Sequence, residues 1–353
     1  VSGGCDSIAL AYLTDKFKSK YEYNIIALTL DHQLRKESAD ETKFVKDLMH
    51  KLEIPHHSLS WTEEKPSTRI QETARIARYN ILAEACNKYK CEYLFLGHHA
   101  DDQLETFIIR LNAKSGLDGL SCMQEESRIL TNNRSLNLIR PLLKYRKETL
   151  KNICKNSQLK WIEDPSNYDM KYLRSKTRKL LVHNNVFDDF YKCIDLFNSV
   201  KDNTDKIIYN YMKNDIYFND IGICSFSMKK FINLPNFLQV KLLNFLIRVI
   251  GGKKYPRKNK VINRVLSNIL SETRTNTTVG GAYLKINKHD IVMFRQLDNS
   301  FKISELKNID TIWDRRFIVK NKTNKYNLTI GPLGEKDYLK MNKLNKIQKP
   351  SIN

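Results

Sequence analysis

The chain has 353 residues, 41% hydrophobic and 28% charged, a balance that suits a globular protein with room for two or three domains. No run of about eighteen apolar residues occurs, which argues against a membrane-spanning helix. The formal net charge of +21 points to a polyanionic partner, with nucleic acid favoured over a membrane surface. Lysine-rich usage throughout the chain is the plainer alternative. Seven cysteines, at positions 5, 86, 91, 122, 154, 193 and 224, form no Cys-x-x-Cys pair. They read as reduced thiols of a cytoplasmic chain, not as a disulfide framework or a zinc or iron–sulfur site.

In chain order, the first hundred residues alternate helix and strand. Ser7 to Lys18 reads as a helix behind a glycine turn, and Asn24 to His32 as an apolar strand. Ser38 and Glu41 form a Ser-x-x-Glu capping box ahead of a helix to about Leu52, which Pro55 ends. His56 to Trp61 is a second strand, Ser67 to about Tyr89 an amphipathic helix, Glu92 to His98 a buried strand, and Asp101 to Asn112 the next helix. This rhythm predicts an α/β fold with a doubly wound, mainly parallel sheet. In such sheets ligands bind beyond the carboxyl ends of the strands. From about Tyr145 to Ile250 the pattern becomes mainly helical. A loop from Gly251 to Lys260 holds Lys253, Lys254, Arg257, Lys258 and Lys260 without an acid, and a helix near Val261 to Glu272 follows. Gly280-Gly281 and short strands to about Gln296 come next. The expected organisation is a catalytic domain over 1–190, a helical or α+β substrate-binding domain over 191–300, and a small C-terminal unit over 310–353.

Five segments carry chemistry. Ser2-Gly3-Gly4-Cys5-Asp6-Ser7 precedes a helix. Its glycines allow positive φ and close backbone approach, and a helix N-terminus supplies amide donors, so the segment suits a pyrophosphate. Asp6 would hold Mg²⁺ against phosphate oxygens. Asp31-His32-Gln33-Leu34-Arg35 follows the first strand, where a nucleotide base or ribose would lie. Gly97-His98-His99-Ala100-Asp101-Asp102-Gln103-Leu104-Glu105 packs two histidines and three carboxylates at a strand-to-helix turn. Asp102 and Glu105 share a helix face, and such a cluster binds a metal or an ammonium group. Arg75 and Arg78, beside Tyr79, offer guanidinium groups to phosphate or a base. Last come Arg140-Pro141-Leu142-Leu143, the turn Glu163-Asp164-Pro165-Ser166-Asn167, and Arg174 and Arg178 four residues apart.

In this order and spacing the segments resemble the tRNA(Ile)-lysidine synthases, a PP-loop ATP-pyrophosphatase family. The match is close over about residues 1 to 185 and looser through Thr278-Val279-Gly280-Gly281. Ile330-Gly331-Pro332-Leu333-Gly334 is similar to a turn of the family's C-terminal domain. The resemblance implies adenylation of C2–O of the wobble cytidine in a CAU-anticodon isoleucine tRNA. The ε-amino group of free L-lysine then attacks C2 and expels AMP. ATP and Mg²⁺ are the implied cofactors, and a homodimer is an assembly it admits. It implies that Ser2, Gly3, Gly4, Cys5, Asp6, Ser7, Gly97 and His98 bind ATP, with Asp6 and Asp101 at the metal. Asp6, Asp31, Arg75, His99, Asp102 and Glu105 are its catalytic candidates. Asp101, Asp102, Glu105, Arg78, Arg140, Asp164, Asn167, Arg174 and Arg178 are its candidates for contacting lysine or tRNA. It also implies a strand ahead of Ser2 and a longer C-terminal unit. Asp118, where the family commonly has a basic residue, and Ser175, in place of an asparagine, are departures. A cytidine-thiolating PP-loop enzyme and a non-catalytic RNA-binding relative are the alternatives.

Overall fold

The computed structural model describes residues 1–21, 23–31, 38–61, 70–131, 135–163, 187–219, 221–296, 303–306, 311–320 and 328–332. The chain divides into two compact units, Val1–Asn203 and Thr204–Asn353, and the division falls inside a long helix, Phe187–Asp215.

In the first unit, helix α1 (Cys5–Tyr21) leads to strand β1 (Ala27–Asp31), helix α2 (Ser38–Lys51) and strand β2 (His56–Ser60). Strands β1 and β2 pair in parallel, Ala27 opposite His56 through Asp31 opposite Ser60. The crossover helix buries Val45 and Met49 against Ala27 and Ile54, which is why a parallel pair needs an amphipathic helix between its strands. Helix α3 (Ile70–Lys88), strand β3 (Tyr93–Phe95), helix α4 (Ala100–Asn112) and a single turn, α5 (Leu117–Leu120), follow. Strand β3 runs parallel to β5 (Ser135–Ile139), which pairs antiparallel with β4 (Glu126–Leu130). Helix α6 (Lys147–Asn156) brings Leu150 and Cys154 into one core with Ile8 and Leu10 of α1. The mainly parallel α/β sheet is thus present in two pieces among the described residues, β1–β2 and β4–β5–β3. The β4–β5 hairpin has no counterpart in the sequence reading.

Helix α7 (Phe187–Asp215) ends at strand β6 (Ile216–Phe218). The second unit is built on a five-stranded antiparallel sheet in the order β6, β7 (Cys224–Ser227), β10 (Asp290–Arg295), β9 (Ala282–Ile286), β8 (Thr277–Val279). One face of this sheet, with Phe226, Ala282, Leu284, Ile291 and Met293, is buried. It packs with α8 (Met228–Ile232), α9 (Asn236–Ile250) and α10 (Asn259–Leu270), which contribute Phe231, Leu242, Leu246, Ile262 and Ile269. The short strands expected up to Gln296 are present as β9 and β10, and β6 and β7 add two strands within the stretch expected to be mainly helical. Two small antiparallel pairs follow: β11 (Ser304–Leu306) with β14 (Leu328–Ile330), and β12 (Thr311–Trp313) with β13 (Phe317–Val319). No described helix is long and apolar enough to cross a membrane.

An ion pair ties the β12–β13 hairpin to β10 of the second unit. Asp314, in the β12–β13 turn, accepts from Arg295 Nε at 3.1 Å and Arg316 Nε at 2.7 Å, and its side chain is 7% exposed. Removing one partner of a buried pair leaves the other charge desolvated and uncompensated. Asp314→Ala is therefore expected to lower stability by about 3 kcal/mol, measured by urea unfolding. An unchanged midpoint would mean that the pair does not hold the hairpin to β10.

Candidate active site

The site begins with the turn ahead of α1. Gly3 has φ +83°, a conformation that side chains disfavour, and its carbonyl accepts from Ile162 N–H at 2.9 Å. Ser7 Oγ accepts from Ser2 N–H at 3.0 Å and donates to Gly4 O at 2.9 Å, so the two serines tie the turn closed. Thr29 Oγ1 of β1 donates to Val1 O at 2.8 Å. Gly97 approaches from the end of β3: a Cβ there would lie 3.0 Å from Asp6 O. Only glycine lets the two turns come this close. Cys5 contributes its backbone alone. Its side chain lies 3.8 Å from Cys154 Sγ, and burial first, with Cys154 second, pushes its thiol up to about 12.

At the centre stands His99, 1% exposed. Its Nε2 lies 3.5 Å from Asp6 Oδ2 and 3.6 Å from Asp102 Oδ2, and its Nδ1 lies 3.6 Å from Asp101 Oδ2. Burial opposes a charged imidazole, but the three carboxylates outweigh it and hold the ring up at about 9. At neutral pH His99 is an imidazolium surrounded by acids. Asp102 also accepts from the His99 N–H at 3.2 Å, capping α4. Asp101 is engaged at both oxygens. Oδ1 accepts from Arg146 Nε and Nη2, at 3.2 and 3.1 Å, and Oδ2 from Lys147 N–H at 2.7 Å. Burial works to raise this carboxyl, yet His99, Lys147 N–H and Arg146 hold it well below the usual carboxylate range. Arg146 in turn lies over the Phe187 ring at 3.5 Å. Lys147 Nζ reaches Asp6 Oδ2 at 3.5 Å.

His98 faces the opposite electrostatic environment. Burial, and then the charges of Arg140, Arg78 and Arg75, lower its imidazole to about 4 against the pull of Asp102. Arg78 Nε is buried without a hydrogen-bond partner, and its guanidinium lies 5.2 Å from the Tyr79 ring centroid. Arg75 is exposed one turn earlier on the helix.

Ser2, Gly4, Asp6, Ser7, Asp31, Arg78, Gly97, His98, Asp102 and Lys147 line one cavity. Glu105 is 2% exposed on α4. Arg140 is 6% exposed and donates through Nη1 to Gln124 O and Ser127 Oγ, which fastens the β4–β5 hairpin. His32 to Arg35, Asp164, Asn167, Arg174 and Arg178 lie outside the described residues.

The acids also test the expected metal. Among the described residues no three His, Cys, Asp or Glu groups converge as a metal cage. Asp101 has both oxygens taken by α6 and does not fit as a ligand. Asp6 does fit, because its Oδ1 is buried and has no partner. One hard oxygen beside a phosphate cradle is the protein share that Mg²⁺ commonly takes.

A profile of the PP-loop domain matches residues 1–185. A tRNA(Ile)-lysidine synthase of Orientia tsutsugamushi (strain Boryong) is 31% identical over 351 residues, which cover 96% of this chain and 78% of that protein. The chain belongs to the tRNA(Ile)-lysidine synthase branch of the PP-loop family. The synthase of Wolbachia pipientis wMel is 34% identical over 332 residues, 90% of this chain and 75% of that one. A solved U34-tRNA thiolase from Methanococcus maripaludis is a more remote likeness, at 17% identity and a TM-score of 0.47, covering 56% of this chain and 71% of that one.

Two residues of this PP-loop site escaped the sequence reading, Arg146 and Lys147. Their signal is faint: a basic pair shortly after Pro141-Leu142-Leu143, at the start of an amphipathic helix. Arg146 touches no reacting atom; it positions Asp101, and through Asp101 it positions His99. Loss of such an outer partner commonly costs about 10–100-fold in activity. Arg146→Ala is expected to lower kcat for ATP cleavage by about tenfold with little change in KM for ATP, and Arg146→Lys to recover part of it. Steady-state kinetics decide, and an unchanged kcat in Arg146→Ala would show that Asp101 does not need this clamp.

Proposed function

We propose that this enzyme ligates free L-lysine to C2 of the wobble cytidine of a CAU-anticodon isoleucine tRNA, converting ATP to AMP and pyrophosphate in the cytoplasm. The observation that carries the reading is the joining, in one cavity, of a glycine cradle for phosphates and an acid cluster suited to an ammonium group.

The C2 oxygen of cytosine is a poor leaving group. It attacks the α-phosphorus of ATP, the bond to pyrophosphate breaks, and the oxygen becomes part of an adenylate. The Gly3-Gly4 turn and the first amides of α1 hold the departing pyrophosphate. Arg78, with its unpartnered Nε, neutralises charge on the phosphates, and Arg75 serves the same anion from its exposed position. Asp6 Oδ1 would hold Mg²⁺, which supplies Lewis-acid stabilisation of phosphate oxygens when bound. Asp31, at the carboxyl end of β1, lies where the nucleoside portion is expected.

Lysine enters as an ammonium ion and must lose a proton before its Nε attacks C2. Asp102, which lines the cavity, would receive the ammonium, take its proton and lower the cost of the cation in a partly buried site. The new C–N bond forms as the C2–O bond to the adenylate breaks, releasing AMP. His99 stays an imidazolium and, against burial, lowers the pKa of the Asp6 carboxyl. Asp164, Asn167, Arg174 and Arg178 retain the tRNA-contacting role that the resemblance gives them. The second unit, with its acid-free loop from Lys253 to Lys260, holds the remainder of the tRNA through phosphates.

The reading is tested by incorporation of radiolabelled lysine into the CAU-anticodon tRNA with ATP and Mg²⁺, wild type beside Asp102→Ala. Label is expected with wild type and at least a hundredfold less with the variant, as for loss of a group acting directly in proton transfer or binding (about 10²–10⁴). Wild-type protein that binds the tRNA and ATP but transfers no lysine would overturn the assignment.

A further inference from the structure

The sheet of the second unit has a face that the function so far leaves unused. Along β9, Ala282, Leu284 and Ile286 are buried, while Tyr283 is half-buried and Lys285 exposed on the other side. Along β10, Ile291 and Met293 are buried, while Val292 and Phe294 turn outward. Tyr283 and Phe294 are register partners. Their ring centroids are 4.9 Å apart and their planes 35° from parallel. Helices α9 and α10 share the core with the opposite face, so two aromatic rings lie side by side on the outer surface. With Asn276, Lys285, Arg295 and Gln296 they line a shallow cavity of about 640 Å³.

The surroundings select the ligand. A cross-strand aromatic pair by itself does no more than stabilise a sheet. Here Lys285 stands two residues from Tyr283 on the same face. Two of the cations between Lys253 and Lys260 meet the turn that enters β9: a Cβ on Gly281 would lie 3.2 Å from Lys253 Cε, and one on Gly280 3.1 Å from Arg257 Nε. Gln296, at the far end of β10, is joined to the same turn by its N–H to Gly281 O at 2.9 Å. Flat apolar rings, side-chain amides and a rim of cations are the recognition set for an unpaired base and its phosphates.

We propose that this face is a stacking platform for an unpaired nucleotide of RNA, with Tyr283 and Phe294 as its floor and Lys285 and the Lys253–Lys260 loop gripping the flanking phosphates. The proposal rests on the reading of RNA as the substrate, and adds to it a second point of contact outside the ATP cavity. Ring stacking reads a base face and tolerates sequence, so the platform would hold an RNA end or bulge without selecting its identity.

The test uses the full chain and a short single-stranded RNA carrying 2-aminopurine, whose fluorescence falls on stacking. Wild type is expected to quench it. Tyr283→Leu and Phe294→Leu are expected to abolish the quench and weaken binding about tenfold, while Tyr283→Phe and Phe294→Tyr retain both. Lys285→Gln is expected to weaken binding and flatten its salt dependence by about one ion. With the tRNA substrate, the leucine variants are expected to raise KM for tRNA and leave kcat for lysine transfer unchanged. Quenching and affinity that survive both leucine changes would overturn the platform, as would a loss in Tyr283→Phe equal to that in Tyr283→Leu. Should the leucine variants fail to fold, ultraviolet crosslinking of the same RNA to wild type decides. Crosslinks in β9 or β10 support the platform, and crosslinks confined to the first unit overturn it. Absence of lysine transfer by wild type would overturn the proposed reaction alone, because the quench is read without ATP or lysine.

Discussion

The site depends on a buried imidazolium. His99 is almost fully enclosed, and an enclosed positive charge is costly unless acids surround it. Asp6, Asp101 and Asp102 do so from three directions within 3.6 Å. The acids need the cation just as much. Carboxylates this close would repel one another, and a protonated Asp6 could not hold Mg²⁺. One ring therefore joins the phosphate turn, the start of α4 and, through Asp101, the start of α6. Its charge favours the ionised forms of Asp6 and Asp101, and its position fixes where the acids stand.

The three acids do different work although they share one partner. Asp101 is turned toward α6, where a backbone N–H and the Arg146 guanidinium saturate it, so it is structural. Asp6 keeps one oxygen without a partner beside the glycine turn. Asp102 caps its own helix and still lines the cavity. Geometry makes this division, since all three are the same residue type within a few ångströms of one histidine. The neighbouring His98 shows how local the control is. One position earlier, its ring faces Arg75, Arg78 and Arg140 and is held neutral, while His99 is held charged.

Much of this was legible in the sequence, for stated reasons. Ser2 to Ser7 and Gly97 to Asp102 are contiguous, and their glycines, small hydroxyl residues and acids have few purposes other than a phosphate or metal turn. What stayed hidden was long-range. Arg146 and Lys147 meet Asp101 and Asp6 across 45 and 141 residues, and no local pattern marks such a contact. The burial of Glu105 was not legible, because i, i+3 spacing places it beside Asp102 on the helix but does not say which turn of that face becomes buried. The β4–β5 hairpin that Arg140 fastens was likewise unforeseen. In the second unit the short strands up to Gln296 were expected, whereas β6 and β7, of three and four residues, were obscured among strong helices.

A protein with a net charge of +21 that carries its chemistry on a knot of carboxylates presents an apparent conflict, and length scale resolves it. At physiological salt the field of a charge fades over about 8 Å, so the distributed lysines and arginines act on a large polyanion that touches many of them at once. The acids act inside a cavity, where screening is weaker and a single ammonium group meets them at contact distance. The first pattern suits RNA and ATP phosphates, and the second suits an ammonium group. Arg78 and His98 line the same cavity as Asp102. In a ligation that runs through an adenylate, pyrophosphate must leave before an amine has a carbon worth attacking.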